Sequence, residues 1–284
     1  IKKENPFPAV CGRICNRRCE DACTRGTVDQ AVAIDAVKKF VAQQDLNAAH
    51  RYVPPVVQPS LQGPWPQKIA IIGGGPAGLS CAYFLALQGY RPTVFEKNEH
   101  PGGMLRYGIP SFKLEKDVID AEIDILRELG VTIRCGMEVG KDVTLAQLRA
   151  QGYKAFYLAI GCQGGRTAGV PGEDAAGIQT AVALLRTVGG DESHKMTGKT
   201  VVIGGGNVAI DAARVALRCG SSDVTMVCLE PREKMPASAE EIAEAEEEGT
   251  AIRCGYGPKE FLTKDGHVCG VVLKRCTGLY DAEG

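Results

Sequence analysis

From residue 68 onward the chain alternates two hydrophobic patterns. Short, largely apolar and β-branched runs fall at 68–72, 93–95, 155–161, 199–203 and 224–229, and further strands are read at 131–135 and 251–254. Runs of that length without polar alternation suit strands buried on both faces. Between them lie longer segments, at 76–89, 115–129, from 207 to about 218 and at 240–248, that read as helices; the segment 115–129 carries charges on one side and apolar residues at three- and four-residue spacing. Strand and helix in alternation predict an α/β fold with parallel sheets. Two more strands are expected at 260–263 and 268–275. The apolar strand at 155–161 is expected to be buried, and it ends in Gly161, where backbone can pass close to a ligand.

The first 66 residues read differently. Val32, Ile34, Val37, Phe40 and Val41 recur at helical spacing within 28–46, which predicts a surface helix packing that face on the domain beyond it. Residues 53–66 are too rich in proline for helix or central strand and are expected to be a stiff linker. Three glycines and two prolines in 99–114 exclude regular structure through much of that loop, and loops on rigid scaffolds commonly carry binding groups.

The residues immediately after the strand at 68–72 give the pattern its chemistry. Gly73-Gly74-Gly75-Pro76-Ala77-Gly78 opens the helix with no spacer. Gly73 permits the tight turn, Gly75 lets backbone approach a pyrophosphate, and Gly78 lets the helix pack closely on the strand. Unpaired N–H groups and the positive dipole end then face the phosphates. Glu96, with Lys97 after it, ends the next strand at the distance where a carboxylate accepts hydrogen bonds from a ribose diol. A second copy runs from the strand 199–203 through Gly204-Gly205-Gly206-Asn207-Val208-Ala209 to Glu230. Two dinucleotide half-sites are therefore expected.

Composition narrows the class. Net charge is −1, from 33 Lys and Arg against 34 Asp and Glu, and the basic residues are scattered; a nucleic-acid partner is not expected. With no long apolar run and no charged-then-apolar leader, neither a membrane span nor a signal peptide is expected, and the chain reads as cytoplasmic. Of 12 cysteines, eight are dispersed and read as small buried hydrophobes. The other four, Cys11, Cys15, Cys19 and Cys23, are spaced by four, which on a helix stacks them on one face. Such thiolates suit a soft metal centre, zinc or iron–sulfur.

Five segments together resemble the flavoprotein family of the glutamate synthase small (β) subunit, whose relatives include the N-terminal half of dihydropyrimidine dehydrogenase and the flavin subunits of electron-bifurcating transhydrogenases. They are Pro8-Ala-Val-Cys-Gly-Arg-Ile-Cys15, the first glycine turn, Gly102-Gly-Met-Leu-Arg-Tyr-Gly-Ile-Pro-Ser-Phe-Lys-Leu114, Leu158-Ala-Ile-Gly-Cys-Gln163, and the second glycine turn with Met235-Pro-Ala237. The resemblance implies two Rossmann-like domains behind a small helical Cys-rich iron–sulfur domain. The expected limits are 1–58 for the helical domain and linker, 66–180 for an FAD domain and 181–284 for an NAD(P) domain. It implies that Gly73, Gly75, Pro76, Ala77, Gly78, Glu96 and Lys97 hold the ADP half of FAD, with Gly103, Leu105, Arg106, Tyr107, Ile109 and Lys113 near the flavin end and Gly161 closing the site. Gly204, Gly206, Asn207, Val208 and Asp211 are implied to hold the nicotinamide nucleotide, and the four cysteines to be [4Fe-4S] ligands.

Three departures stand beside the likeness. The family draws further cluster ligands from an upstream segment that this chain lacks, and Cys15, Cys19 and Cys23 match its ligand positions better than Cys11. Lys38 stands where relatives can place a Glu or Gln ligand. The C-terminal return to the flavin domain is absent, so the chain is expected to be a fragment. The expected function is electron transfer between NAD(P)H and, through FAD, iron–sulfur centres of a partner subunit, another domain of the complex or ferredoxin. A small subunit of a complete glutamate synthase, a non-catalytic docking scaffold and a zinc module are the alternatives. Glu230 predicts NAD(H) over NADP(H), since a carboxylate accepts from a free 2′-hydroxyl and repels a phosphate; Arg232 acts the other way.

Overall fold

The computed structural model describes residues 1–57 and 63–279. The chain divides into two compact units, Ile1–Cys162 and Gln163–Gly284. The division falls ahead of the 180/181 limit read from the sequence.

The first unit opens with three helices, α1 (Pro8–Ile14), α2 (Arg18–Asp21) and α3 (Ile34–Leu46). Next comes a parallel sheet in the order β3-β2-β1-β4, from β1 (Lys68–Ile72), β2 (Thr93–Phe95), β3 (Thr132–Arg134) and β4 (Tyr153–Leu158). Helices α4 (Pro76–Leu87), α5 (Met104–Tyr107), α6 (Lys116–Glu128) and α7 (Leu145–Ala150) connect the strands. β1 is central and buried on both faces, as its unbroken apolar run requires. Ile71 joins Leu79, Tyr83, Ile119, Ile123 and Leu126 on one side, while Ala70 and Ile72 meet Phe95 and Leu148 on the other.

The N-terminal helices share the first of these cores, through Phe7, Ala9, Val10 and Ala42. Two polar clamps fix them to α6. Arg13 of α1 donates to Glu115, just ahead of α6, at 2.6 Å and to Gln43 of α3 at 2.8 Å. Arg51 donates to the buried Glu122 of α6 at 3.0 Å and shares Asp45 with Lys2.

Three expectations are corrected here. The helix drawn over 28–46 begins at Ile34, and its apolar residues do not pack on the sheet domain: Val37 and Phe40 are 59% and 64% exposed, and Val32, Ile34 and Val41 are exposed too. α3 turns Asp35 and Ala42 inward instead, because α1 crosses it so closely that a Cβ on Gly12 would lie 2.8 Å from Lys39 Cα. β4 is the edge strand of its sheet, so its apolar run is largely exposed rather than buried; Leu158 is 66% and Ile160 74% exposed. Among the eight dispersed cysteines, Cys219 and Cys228 are buried as expected, whereas Cys162 and Cys269 are exposed.

The second unit carries a smaller parallel sheet in the order β5-β6-β7, from β5 (Lys199–Ile203), β6 (Asp223–Cys228) and β7 (Ala251–Cys254). Helices α8 (Ala181–Gly190), α9 (Asn207–Arg218) and α10 (Ala239–Glu247) pack around it, with Leu184, Ile210, Met226 and Ile242 in one core. β8 (Tyr256–Lys264) and β9 (His267–Arg275) form an antiparallel hairpin. Its turn, Asp265-Gly266, has φ of 52° and 77°, the left-handed pair that a two-residue hairpin turn demands.

Helices α7 and α8 escaped the hydrophobic pattern, but their caps were written in the sequence. Thr144 and Gln147 form a reciprocal capping box, and the Thr180 hydroxyl accepts from Ala183 N–H. The acidic residues of α10 pair with arginines of neighbouring elements. Glu244 and Glu248 grip Arg214 of α9, Glu248 also holds Arg218, and Glu246 pairs with Arg232. Among the described residues no helix is long and apolar enough to cross a membrane.

Candidate dinucleotide-binding sites

The two glycine turns repeat one construction. β1 ends at Ile72 and α4 starts at Pro76; β5 ends at Ile203 and α9 starts at Asn207. Gly73 and Gly204 have φ of +108° and +141°, which L-residues avoid, so glycine is required there by the backbone itself. Gly78 is required by packing, because a Cβ on it would lie 2.0 Å from Gly73 O.

Gly75 and Gly206 have neither reason. Both are extended, with φ of −81° and −95°. A Cβ on Gly75 would meet only Gly103 Cα, at 3.7 Å, and one on Gly206 would meet nothing within 4 Å. Each turn thus keeps open a space beside a helix N-terminus. The first helical donors satisfied inside are Leu79 N–H, to Gly75 O, and Ala209 N–H, to Gly206 O. The donors ahead of them are the ones a phosphate can use.

The acids lie where the motif puts them. Glu96 is buried directly after β2, and its Oε2 accepts from Gly74 N–H at 2.7 Å. Its Oε1 accepts from the backbone and side-chain nitrogens of Asn98 at 2.8 and 2.7 Å, a partner that no sequence motif pointed to. Glu230 stands two residues past β6 and is half-buried, its Oε2 2.9 Å from where a Gly205 Cβ would stand. In both units the loop beyond the acid returns to the middle glycine. Gly102 N–H donates to Gly74 O at 2.7 Å, and Ala237 N–H to Gly205 O at 3.1 Å. This return also explains why Gly103 is glycine, since a Cβ there would lie 2.6 Å from Gly75 Cα.

The remaining candidates divide. Pro76, Ala77 and Lys97 are exposed, and Gly161 lies just past the end of β4, where Ala159 abuts Gly73. Tyr107, Ile109 and Lys113 are half-buried in the loop beside the first turn, and Tyr107 OH bonds His100 O at 3.2 Å. Leu105 belongs to the core. Arg106 is buried and occupied by Pro101 O and Asp120, so it braces the loop. At the second turn Val208 is exposed and Asp211 buried, while Asn207 Oδ1 accepts from Ser238 N–H at 3.0 Å.

The four cysteines do not share a helix face, contrary to the spacing argument. Cys11 lies in α1, Cys19 in α2, and Cys15 and Cys23 on extended backbone between short helices. Arg17 at φ +54° breaks the helical path between Cys15 and Cys19. Among the described residues no three His, Cys, Asp or Glu side chains converge as a metal site. As arranged, these residues do not by themselves fit a cluster. Lys38 pairs with Asp35 at 2.7 Å.

The repeated turn-and-acid construction in two parallel sheets has a counterpart in known sequences. Residues 67–281 match the family described as pyridine nucleotide-disulphide oxidoreductase, and residues 1–50 match dihydropyrimidine dehydrogenase domain II, 4Fe-4S cluster. The chain belongs to the pyridine nucleotide-disulphide oxidoreductase family. The chain is 39% identical to the NADP(+)-dependent formate dehydrogenase subunit beta of Moorella thermoacetica, over 97% of this chain and 41% of that one. It is 38% identical to the NAD-dependent dihydropyrimidine dehydrogenase subunit PreT of Escherichia coli O157:H7, over 91% and 61%. It is 37% identical to the glutamate synthase [NADPH] small chain of Halomonas elongata, over 93% and 57%. The resemblance to the glutamate synthase small-subunit flavoproteins is thereby borne out. This member of the oxidoreductase family spans between 41% and 61% of the length of these three relatives.

Proposed function

We propose that this chain is the flavin and nucleotide portion of an oxidoreductase subunit, with FAD at the Gly73–Gly78 turn and a nicotinamide nucleotide at the Gly204–Gly206 turn. The observation that carries the reading is the pair of open positions at Gly75 and Gly206, glycines that neither backbone conformation nor packing requires. Both fit a pyrophosphate drawn against backbone.

When bound, the two cofactors supply hydride transfer between nicotinamide and flavin, which needs no acid–base pair from the protein. The chain's residues bind and orient. Ala77 and Gly78 at one helix start, and Asn207 and Val208 at the other, present backbone N–H groups to phosphate. Glu96 and Glu230 are the acceptors at the strand ends for ribose hydroxyls. Gly103 seats the 102–114 loop against the first turn, and Arg106 keeps that loop in shape through Asp120. Gly161, Tyr107, Ile109 and Lys113 are assigned to the flavin end by family likeness.

Iron–sulfur centres of a partner subunit, another domain or ferredoxin would be the acceptors for electrons that a bound flavin supplies. The match of residues 1–50 to a 4Fe-4S domain supports that destination. No step is drawn through Cys11, Cys15, Cys19 and Cys23, because their arrangement does not converge; [4Fe-4S] ligation by them needs ligands from elsewhere. The coenzyme is NAD(H) in preference to NADP(H), on the charge of Glu230. Relatives' names carry both coenzymes, so this preference rests on the residue alone. A role as a small subunit of glutamate synthase is the narrower form of the same reading.

The test is the visible absorbance of the purified protein. A flavin spectrum bleached by NADH supports the assignment. A colourless protein that stays colourless after incubation with FAD, and binds no nucleotide, would identify it as a docking scaffold.

A further inference from the structure

Arg232 opens the short 3-10 turn Arg232–Lys234, two residues beyond the strand-end Glu230. Its guanidinium is already engaged. Nη1 and Nη2 donate as a fork to Oε1 and Oε2 of Glu246 on α10, at 2.6 and 2.5 Å. That fork is the feature with which an arginine recognises a phosphate, through two parallel donors and a fixed charge. The pairing raises the Arg232 guanidinium and holds the Glu246 carboxyl below its ordinary range, each because of the other.

Glu246 is held in place by more than its own side chain. The N-cap of α10, Ser238, donates its N–H to Asn207 Oδ1 at 3.0 Å, and Ala237 N–H donates to Gly205 O at 3.1 Å. The far side of α10 is tied to α9, where Arg214 bonds both Glu244 and Glu248. The helix that carries Glu246 is therefore anchored to the second glycine turn and to the helix that starts there. The charges beside the strand end are then Glu230 and Glu233, which are negative, Lys234, and an arginine whose donors face a carboxylate.

We propose that Glu246 is a specificity-determining residue for the coenzyme: it occupies the Arg232 fork that a 2′-phosphate would need, and so favours a nucleotide with a free 2′-hydroxyl. This rests on the reading of the second turn as a nicotinamide-nucleotide site. Residue order holds no hint of it, because Arg232 and Glu246 belong to different elements and Glu246 sits within a run of acids. Both partners are about half exposed, at 46% and 42%, so the competition is modest. Freeing Arg232 is expected to tighten NADP⁺ binding by about five-fold, the equivalent of about 1 kcal/mol and the upper end for a surface pair.

Titration calorimetry at low salt, with NAD⁺ and NADP⁺ as separate probes, measures this on the full-length subunit. In Glu246→Gln the NADP⁺ Kd falls about five-fold while the NAD⁺ Kd stays within about two-fold. In the Glu246→Gln/Arg232→Ala double variant the gain disappears. A Glu246→Gln protein that binds NADP⁺ no better, that gains equally for both nucleotides, or that keeps its gain without Arg232 overturns the proposal while leaving the second site intact. A wild type that binds neither nucleotide removes the site assignment, and the proposal with it.

Discussion

Replacing Gly75 by valine separates the two reasons a glycine can stand in a strand-to-helix turn. The backbone at 75 is extended, at φ −81° and ψ −178°, a conformation any residue adopts. The new Cβ would meet only Gly103 Cα, at 3.7 Å, so the fold itself tolerates it. Gly75 is also the N-cap of α4, where valine is a poorer residue than glycine, and a stability loss of about 1 kcal/mol is expected. The effect on FAD is larger. A side chain in that space pushes the pyrophosphate away from the free N–H groups of Ala77 and Gly78. Hydrogen bonds to a charged group contribute about 1.5–3 kcal/mol each. Losing two weakens FAD by about 3–6 kcal/mol, or roughly 10²- to 10⁴-fold. Gly78→Ala is the control, since its Cβ would stand 2.0 Å from Gly73 O and 3.1 Å from Ile71 Cγ2. It is expected to lower Tm together with flavin content. The assay pairs far-UV circular dichroism and Tm with flavin absorbance after desalting. A Gly75→Val protein with wild-type dichroism and a full complement of flavin refutes the assignment of the first turn.

Three further outcomes are expected. Single Ser substitutions at Cys15, Cys19 and Cys23 in the intact protein lower its iron content while leaving flavin reduction by nicotinamide nearly unchanged; unaltered iron in all three removes them as ligands. Wild type shows a higher kcat/KM with NADH than with NADPH in flavin reduction, and Glu230→Arg shifts the ratio toward NADPH; the opposite preference in wild type overturns the role given to Glu230. Burial lifts the carboxyl of Glu122 to about 7, against the attraction of Arg51 and Lys2. Because that value lies above the unfolded one, the contribution to stability is complete below about pH 4.5 and is lost as pH rises through about 7, with an upper bound of about 3 kcal/mol. Tm of the wild type therefore falls between pH 5 and 8 by more than that of Glu122→Gln, and parallel curves for the two proteins would show that Glu122 does not titrate there.

The sequence by itself determined whatever depends on neighbours along the chain. A glycine at φ +108° beside a strand end, a helix start and an acid one strand later are local requirements of a dinucleotide turn, and both copies were legible in the order of their residues. The strands and helices α4, α6, α9 and α10 were legible for the same reason, since periodicity reports the local backbone, whereas α7 and α8 were not. The tertiary structure alone decided which faces were covered. The apolar residues of β4 and of α3 read as buried, yet β4 is an edge strand and α3 turns Asp35 and Ala42 inward, facts set by strand order and helix crossing rather than by composition. Helical spacing alone likewise mistook four cysteines for one face, because Arg17 at φ +54° interrupts the path between them. The pairings that set the chemistry were the least visible. Ser238 on Asn207 and Glu246 on Arg232 join separate elements, which residue order does not encode; they exist only once the second glycine turn and α10 have been brought together, while Asn98 reaches Glu96 across two residues through a loop conformation that no motif specifies.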